Sequence, residues 1–350
     1  MSAENAAAVA PLAAGTTDIR TVRILRYALG STLAMAVAMG FDWQLSFLTP
    51  VLVVSFLGSP APRPAIKGLV TFVLIIAVAC TVGLAVGLLL VPYPVVYLLV
   101  LGLLLFQLFH AKTRGAPPLL ITWMLIAVLL IPILTSLSST LAVVVAGYMI
   151  FGSAVAVGIV WLAHIAIPDA PQSAAAAPSA PQEDSLSPEY GFYRALLGTA
   201  VVFPVAALFF AYQNASSLII LIFIAILTLQ PSLSAGYKAG MALIVGNLIG
   251  GIASMIVYDL LVVAPHFGFL VLMTLLAALL FGAGLFSSSR WAPLFGMAFS
   301  TLLLIIGSTT SSYGDASDKA TTRVIQITVA VIYAVVAHNV LLKLFPRSES

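Results

Sequence analysis

Two cations and a histidine stand in the same order twice along this chain. Lys67 and Arg114 precede His164, and Lys238 and Arg290 precede His338. Arginine offers an anion a planar fork of donors, and lysine a compact point charge. Histidine is the side chain whose unperturbed pKa falls in the physiological range, which makes it the natural proton switch. The pattern points to anion capture coupled to proton movement. Lys67, Lys238, Arg114 and Arg290 are the candidate substrate-binding residues, and His164 and His338 the candidate proton-coupling pair. Each has a plainer explanation. Membrane insertion places Lys and Arg on one face whatever the function, and a lone histidine in a helix bundle is commonly a packing partner.

The repetition extends beyond these residues. Pro60 stands seven residues before Lys67, as Pro231 does before Lys238. Arg114-Gly-Ala-Pro117 reappears as Arg290-Trp-Ala-Pro293, and Ala163-His164 as Ala337-His338, each followed by a proline (Pro168, Pro346). The Lys-to-Arg gaps are 47 and 52 residues, and the Arg-to-His gaps 50 and 48. Arg26 and Arg194 open the two copies. Five matches in one order argue for a tandem duplication, an architecture typical of membrane transporters.

Composition identifies the solvent around the elements that carry these residues. Apolar residues make up 62% and charged residues 7% of the chain, against roughly a quarter charged in soluble domains. So apolar a chain must turn its outer face to lipid. The net charge of +3 is small and gives no basic patch for nucleic acid. The single cysteine, Cys80, lies in an apolar run, which excludes a disulfide framework and a cysteine-based zinc site. No phosphate-binding Gly-x-x-x-x-Gly-Lys loop, His-x-x-x-His pair or Gly-x-Ser-x-Gly elbow occurs. The expectation is therefore no enzyme, no catalytic residue, no cofactor and no metal.

The apolar runs divide into twelve helical candidates near 25–41, 45–59, 67–91, 94–110, 117–134, 140–166, 194–212, 216–230, 237–263, 267–286, 291–307 and 321–345. Residues 1–20 read as a disordered lead, with no cleavable signal peptide. Residues 21–168 and 190–350 are the two six-helix repeats, and 169–189, rich in Ala, Pro and Ser, is a flexible linker. The fold class is all-α, a polytopic membrane protein of about twelve transmembrane helices in a six-plus-six duplication. With the termini inside, twelve of the fourteen cations fall on the cytoplasmic side, as the positive-inside rule demands. Lys319 and Arg323 are the exceptions, and are expected at the outer surface near Asp315 and Asp318.

Two spans, 45–59 and 216–230, give only about 22 Å of helix against a hydrocarbon core of about 30 Å. They hold the same place in each half, and Pro50 is expected to interrupt the first. Paired short spans point to a transport pathway, and hydrophobic mismatch is the competing reading. The odd-numbered helices begin at the cytoplasmic end, each with a cation at or near it. Free backbone N–H groups beside a cation make an anion site, so the repeated set reads as an anion-attracting vestibule. Asn247, Gln107, Gln326 and Asn339 are the other polar groups within spans, and such groups usually face the protein interior. Gly83-x-x-x-Gly87 and Gly246-x-x-x-Gly250 permit close helix contact but sit at different offsets from the two lysines, outside the repeat pattern.

The segment Leu229-Gln-Pro-Ser-Leu-Ser-Ala-Gly-Tyr-Lys238-Ala-Gly240, with Gly250-Gly251 beyond it, resembles the signature of fusaric-acid-resistance proteins and aromatic-acid exporters. Pro60 to Lys67 looks like a degenerate copy without the Gln. Members of that family commonly carry a cytoplasmic domain between the halves, so this chain resembles a compact relative. The resemblance implies efflux across the bacterial inner membrane beside a periplasmic adaptor of the membrane-fusion type. The expected function is export of small organic anions, aromatic carboxylates among them, driven by the proton gradient, and a homo-oligomer is compatible with it. The alternative is a non-transporting membrane subunit that anchors an adaptor or an envelope complex.

Overall fold

The computed structural model describes residues 19–43, 45–59, 63–168, 188–212, 218–230, 233–311 and 316–344. The lead at 1–18, most of the linker (169–187) and the anchors Pro60, Pro231 and Pro346 lie outside these residues. The described chain is all helix, with no strand. The first six helices are α1 (Ile19–Phe41), α2 (Leu48–Leu57), α3 (Ile66–Leu90), α4 (Pro94–Thr113), α5 (Pro118–Leu137) and α6 (Ser139–Ala166). The second six are α7 (Pro188–Ala211), α8 (Leu218–Thr228), α9 (Leu233–Val263), α10 (Phe267–Leu285), α11 (Ala292–Ser311) and α12 (Ala316–Leu344).

Ten of these helices are long and apolar enough to cross a membrane. Their outward faces are apolar at helical spacing: Val70, Leu74 and Val78 on α3, Leu272, Leu276 and Leu280 on α10, and Ile325, Val329, Ile332, Val336 and Val340 on α12 are all exposed. Stripes of this size, open to solvent, would be untenable in water and are what lipid requires. The chain is a polytopic α-helical membrane protein.

The exceptions, α2 and α8, are shorter than their apolar runs suggest. At 10 and 11 residues they rise about 15 and 16 Å, half a bilayer core. Pro50 does not interrupt α2. The helix begins at Leu48 with Phe47 as its N-cap, so Pro50 sits in the first turn, where its missing N–H would have been unpaired anyway. Likewise Pro117 is the N-cap of α5 and Pro118 opens it, as sequence suggests for a helix start. The helix α7 starts at Pro188, six residues before the expected 194.

Packing within the first six helices is repeated in the second. The helix pairs α3–α5, α3–α6 and α2–α6 have counterparts in α9–α11, α9–α12 and α8–α12. Both small-residue motifs close the same crossing. The backbone of Gly83 lies against the Ala127 carbonyl of α5, and that of Gly250 against the Ala298 carbonyl of α11. They therefore match in place, though shifted in register relative to the lysines. The two sets of six interlock: α1 packs on α10, α4 on α7, α2 on α11 and α5 on α8. Two large apolar clusters result, each drawing residues from both sets.

Candidate functional site

A helix that ends inside a membrane leaves up to four carbonyls without partners. Just past the C-terminal end of α8, two backbone carbonyls are met by cations from other helices. Lys112 of α4 donates through Nζ to the Leu229 carbonyl. Arg194 of α7 donates through an η nitrogen to the Gln230 carbonyl at 3.0 Å. Positive charge at a helix C-terminus also suits the helix dipole. In the first half Arg26, 4% exposed, donates to the carbonyl of Ile167 at the end of α6, at 3.3 Å. The opening arginine of each repeat thus turns inward and caps a helix end.

The four predicted anion ligands lie elsewhere. Lys67, in the first turn of α3, and Lys238, in the second turn of α9, are exposed. Arg114, the C-cap of α4, and Arg290, just before α11, are exposed as well. Arg290 stacks over the Trp291 ring at 4.9 Å. All four belong to the end of the bundle where odd-numbered helices begin. They are rim residues.

The predicted histidines differ from each other. His164 is buried, with Nδ1 2.8 Å from the Val160 carbonyl. A carbonyl only accepts, so Nδ1 carries the proton there. His338, on α12, is half-buried and lies within the electrostatic reach of Arg194. The structure thus brings Lys112 and Arg194 to the end of α8, with His338 in electrostatic contact with Arg194.

A second polar group was not foreseen. Arg323 is not an outer-surface residue: it lies on α12, partly buried, and its Nε donates to Asn247 Oδ1 of α9 at 3.2 Å. Its guanidinium lies 5.7 Å from the centre of the Phe223 ring of α8. Asn247, 4% exposed, is held by two more bonds. Its Nδ2 donates to the Leu243 carbonyl at 2.8 Å, and its Oδ1 also accepts from Thr301 of α11 at 2.9 Å. One turn before Arg323, Lys319 donates to the Ser308 carbonyl of α11 at 2.6 Å. The signal was present in the sequence. Lys319, Arg323, Gln326, Ala330, Tyr333 and Ala337 recur every three or four residues and so share one face of α12. Tyr333 on that face donates to the Val201 carbonyl of α7 at 3.0 Å. Gln107 and Asn339, by contrast, are exposed. Each lies five or six residues from its helix end, where interfacial water can reach it.

A protein-family model described as "Protein of unknown function (DUF2955)" matches residues 23–163, which is the first six-helix set less its outermost residues. No curated protein and no solved structure matches. The exporter-like signature at Leu229–Gly240 falls outside the matched region, at the junction of α8 and α9.

Proposed function

We propose that this protein exports small organic anions, aromatic carboxylates among them, across the bacterial inner membrane, driven by the proton gradient and with both termini cytoplasmic. The observation that carries this reading is the pair of short helices, α2 and α8, one at the same place in each six-helix set and each too short to cross a bilayer core. A complete span offers no backbone group to a passing solute, whereas a half-span ends at membrane depth and is tolerated there only within protein or along a water-filled path. The carbonyls that follow α8 bind Lys112 and Arg194, and His338 interacts electrostatically with Arg194.

On this reading Lys67, Lys238, Arg114 and Arg290 form a cationic rim that collects the anion beside the helix starts. His164 and His338 carry the coupling proton. His338 is the more accessible of the two and has a cation beside it. Its nearness to Arg194 would let anion and coupling proton meet in one place. The resemblance of Leu229–Gly240 to aromatic-acid exporters supports the same direction, and implies a periplasmic membrane-fusion adaptor as partner.

The test is flux in proteoliposomes with an imposed pH gradient, using a panel of small carboxylates. Gradient-dependent accumulation of at least one of them is the expected result. No flux from correctly oriented, folded protein would refute transport and leave a scaffold that anchors an adaptor or an envelope complex.

A further inference from the structure

We propose that Arg323 and Asn247 form an oxyanion-binding site midway through the bundle, between α8, α9 and α12. Its role as a station for the exported anion rests on the transport reading, whereas the binding itself rests on geometry alone. Asn247 lies 14 residues into α9, about 21 Å along the helix, so the cluster is well inside the span. A guanidinium at that depth is costly unless something compensates it. Among the described residues no carboxylate pairs with Arg323, and its one hydrogen bond is from Nε to a neutral amide. The compensation is incomplete, and an oxyanion has the chemistry to complete it.

The surrounding contacts orient the guanidinium for such a ligand. Asn247 receives Nε with an oxygen already fixed by Thr301 and by its own bond to Leu243. Phe223 lies against the guanidinium as a cation–π partner. The two η nitrogens have no hydrogen-bond partner among the described residues, and they form the edge that binds a carboxylate or phosphate in bidentate fashion. Structural necessity does not account for the cluster. Helix α6, the counterpart of α12, has no Lys, Arg, Asp or Glu between Ser139 and Ala166, yet it packs on α3 and α2 as α12 packs on α9 and α8. The fold is built in the first half without this cation.

The occupant's chemistry, an oxyanion, has two sources: a soluble organic anion or a lipid headgroup phosphate. The test uses the full-length protein in maltoside micelles and again in phospholipid nanodiscs. The probe is benzoate, with benzamide as its uncharged isostere, and calorimetry reads the affinity. Benzoate is expected to bind at least tenfold more tightly than benzamide, the scale of one charge-assisted hydrogen bond. Arg323→Gln should remove that preference and Arg323→Lys should restore part of it. Because Arg323→Gln could disturb folding, the decisive variant is Asn247→Asp. It keeps the side-chain shape and places an internal carboxylate on Arg323, which offsets the lost donation from Asn247 to the Leu243 carbonyl, so the protein should remain folded while benzoate affinity falls at least tenfold.

A purely structural Arg323 predicts the same stability with unchanged benzoate affinity, and that result would overturn the proposal. So would equal binding of benzoate and benzamide, or no binding of benzoate by the wild type in micelles. Binding in micelles that is lost in nanodiscs supports the oxyanion site and assigns its occupant to headgroup phosphate. Flux that persists with unchanged KM in Asn247→Asp removes the site but leaves transport standing. Benzoate binding that is lost in Asn247→Asp, without flux in the wild type, does the reverse.

Discussion

Replacing Gly83 by alanine should destabilise the protein, whereas the same replacement at Gly158 should not. A Cβ at Gly83 would lie 2.7 Å from the Ala127 carbonyl oxygen, 2.9 Å from Ile131 Cδ1 and 3.1 Å from the Ala127 carbonyl carbon. Two of the three obstacles are backbone and cannot rotate away. Restoring an ordinary contact of about 3.4 Å requires α3 and α5 to part by roughly 0.7 Å, a gap that forfeits a quarter to a half of the dispersion well for neighbouring atoms. Overpacking of this kind costs about 1–3 kcal/mol. At Gly158, on α6, a Cβ would meet nothing within 4 Å. Both substitutions gain the same helix propensity, about 1 kcal/mol, so that term cancels in the comparison. Gly83→Ala should therefore be about 1–3 kcal/mol less stable than Gly158→Ala. Reversible unfolding in mixed micelles measures the difference, and equal stabilities within 0.5 kcal/mol (roughly the scatter of such comparisons) would refute the close α3–α5 crossing.

Three further outcomes are expected. Arg194→Met and Lys112→Met should each cost about 1–3 kcal/mol through a lost charge-assisted bond to a carbonyl just past the end of α8, and the double variant should be non-additive because both serve one helix end; simple additivity in an unfolding cycle would contradict the shared cap. Lys67→Gln with Lys238→Gln should weaken anion affinity only a few-fold, since both side chains are exposed and solvent-screened pairs are worth about 0.2–1 kcal/mol, and unchanged affinity in correctly oriented protein would remove the rim from the pathway. His338→Gln should flatten the pH dependence of flux while leaving anion binding within a few-fold of wild type, and an unaltered pH profile in that variant and in the His164→Gln, His338→Gln double variant would exclude histidine coupling.

Helix number and the paired short spans were legible in the sequence because apolar run length is a local property. The run 216–230 was visibly too short for a bilayer, and α8 is shorter still. Pro50 was misread because proline's effect depends on how far it stands from the helix start, and that start at Leu48 carries no Ser, Thr, Asp or Asn cap to mark it. Arg26 and Arg194 were recognised as repeated, but not as caps, since the carbonyls they bind belong to no residue type. Arg323 was placed at the outer surface, near the start of the run 321–345, by the topology and its acidic neighbours. Its three-and-four spacing with Lys319 and Gln326 was the better guide, because charge identity says what a side chain costs to bury and periodicity says whether it is buried. The rim residues Lys67, Lys238, Arg114 and Arg290 are where topology places them, and topology alone does not give them a ligand.

The cross-packing of α1 on α10 and α4 on α7 has a consequence for biogenesis. Between Phe41, where α1 ends, and Phe267, where α10 begins, the ribosome adds 226 residues. At about 5–20 residues per second, α1 waits roughly 10–45 s in the bilayer before its partner is synthesised. Throughout that interval the nascent first six helices expose the surfaces that α7 and α10 will later cover. Lipid, the insertion machinery or a chaperone must occupy them meanwhile. A chain cut at the linker would yield two fragments that each lack a neighbour the other supplies, so quality control of this protein cannot be completed one half at a time.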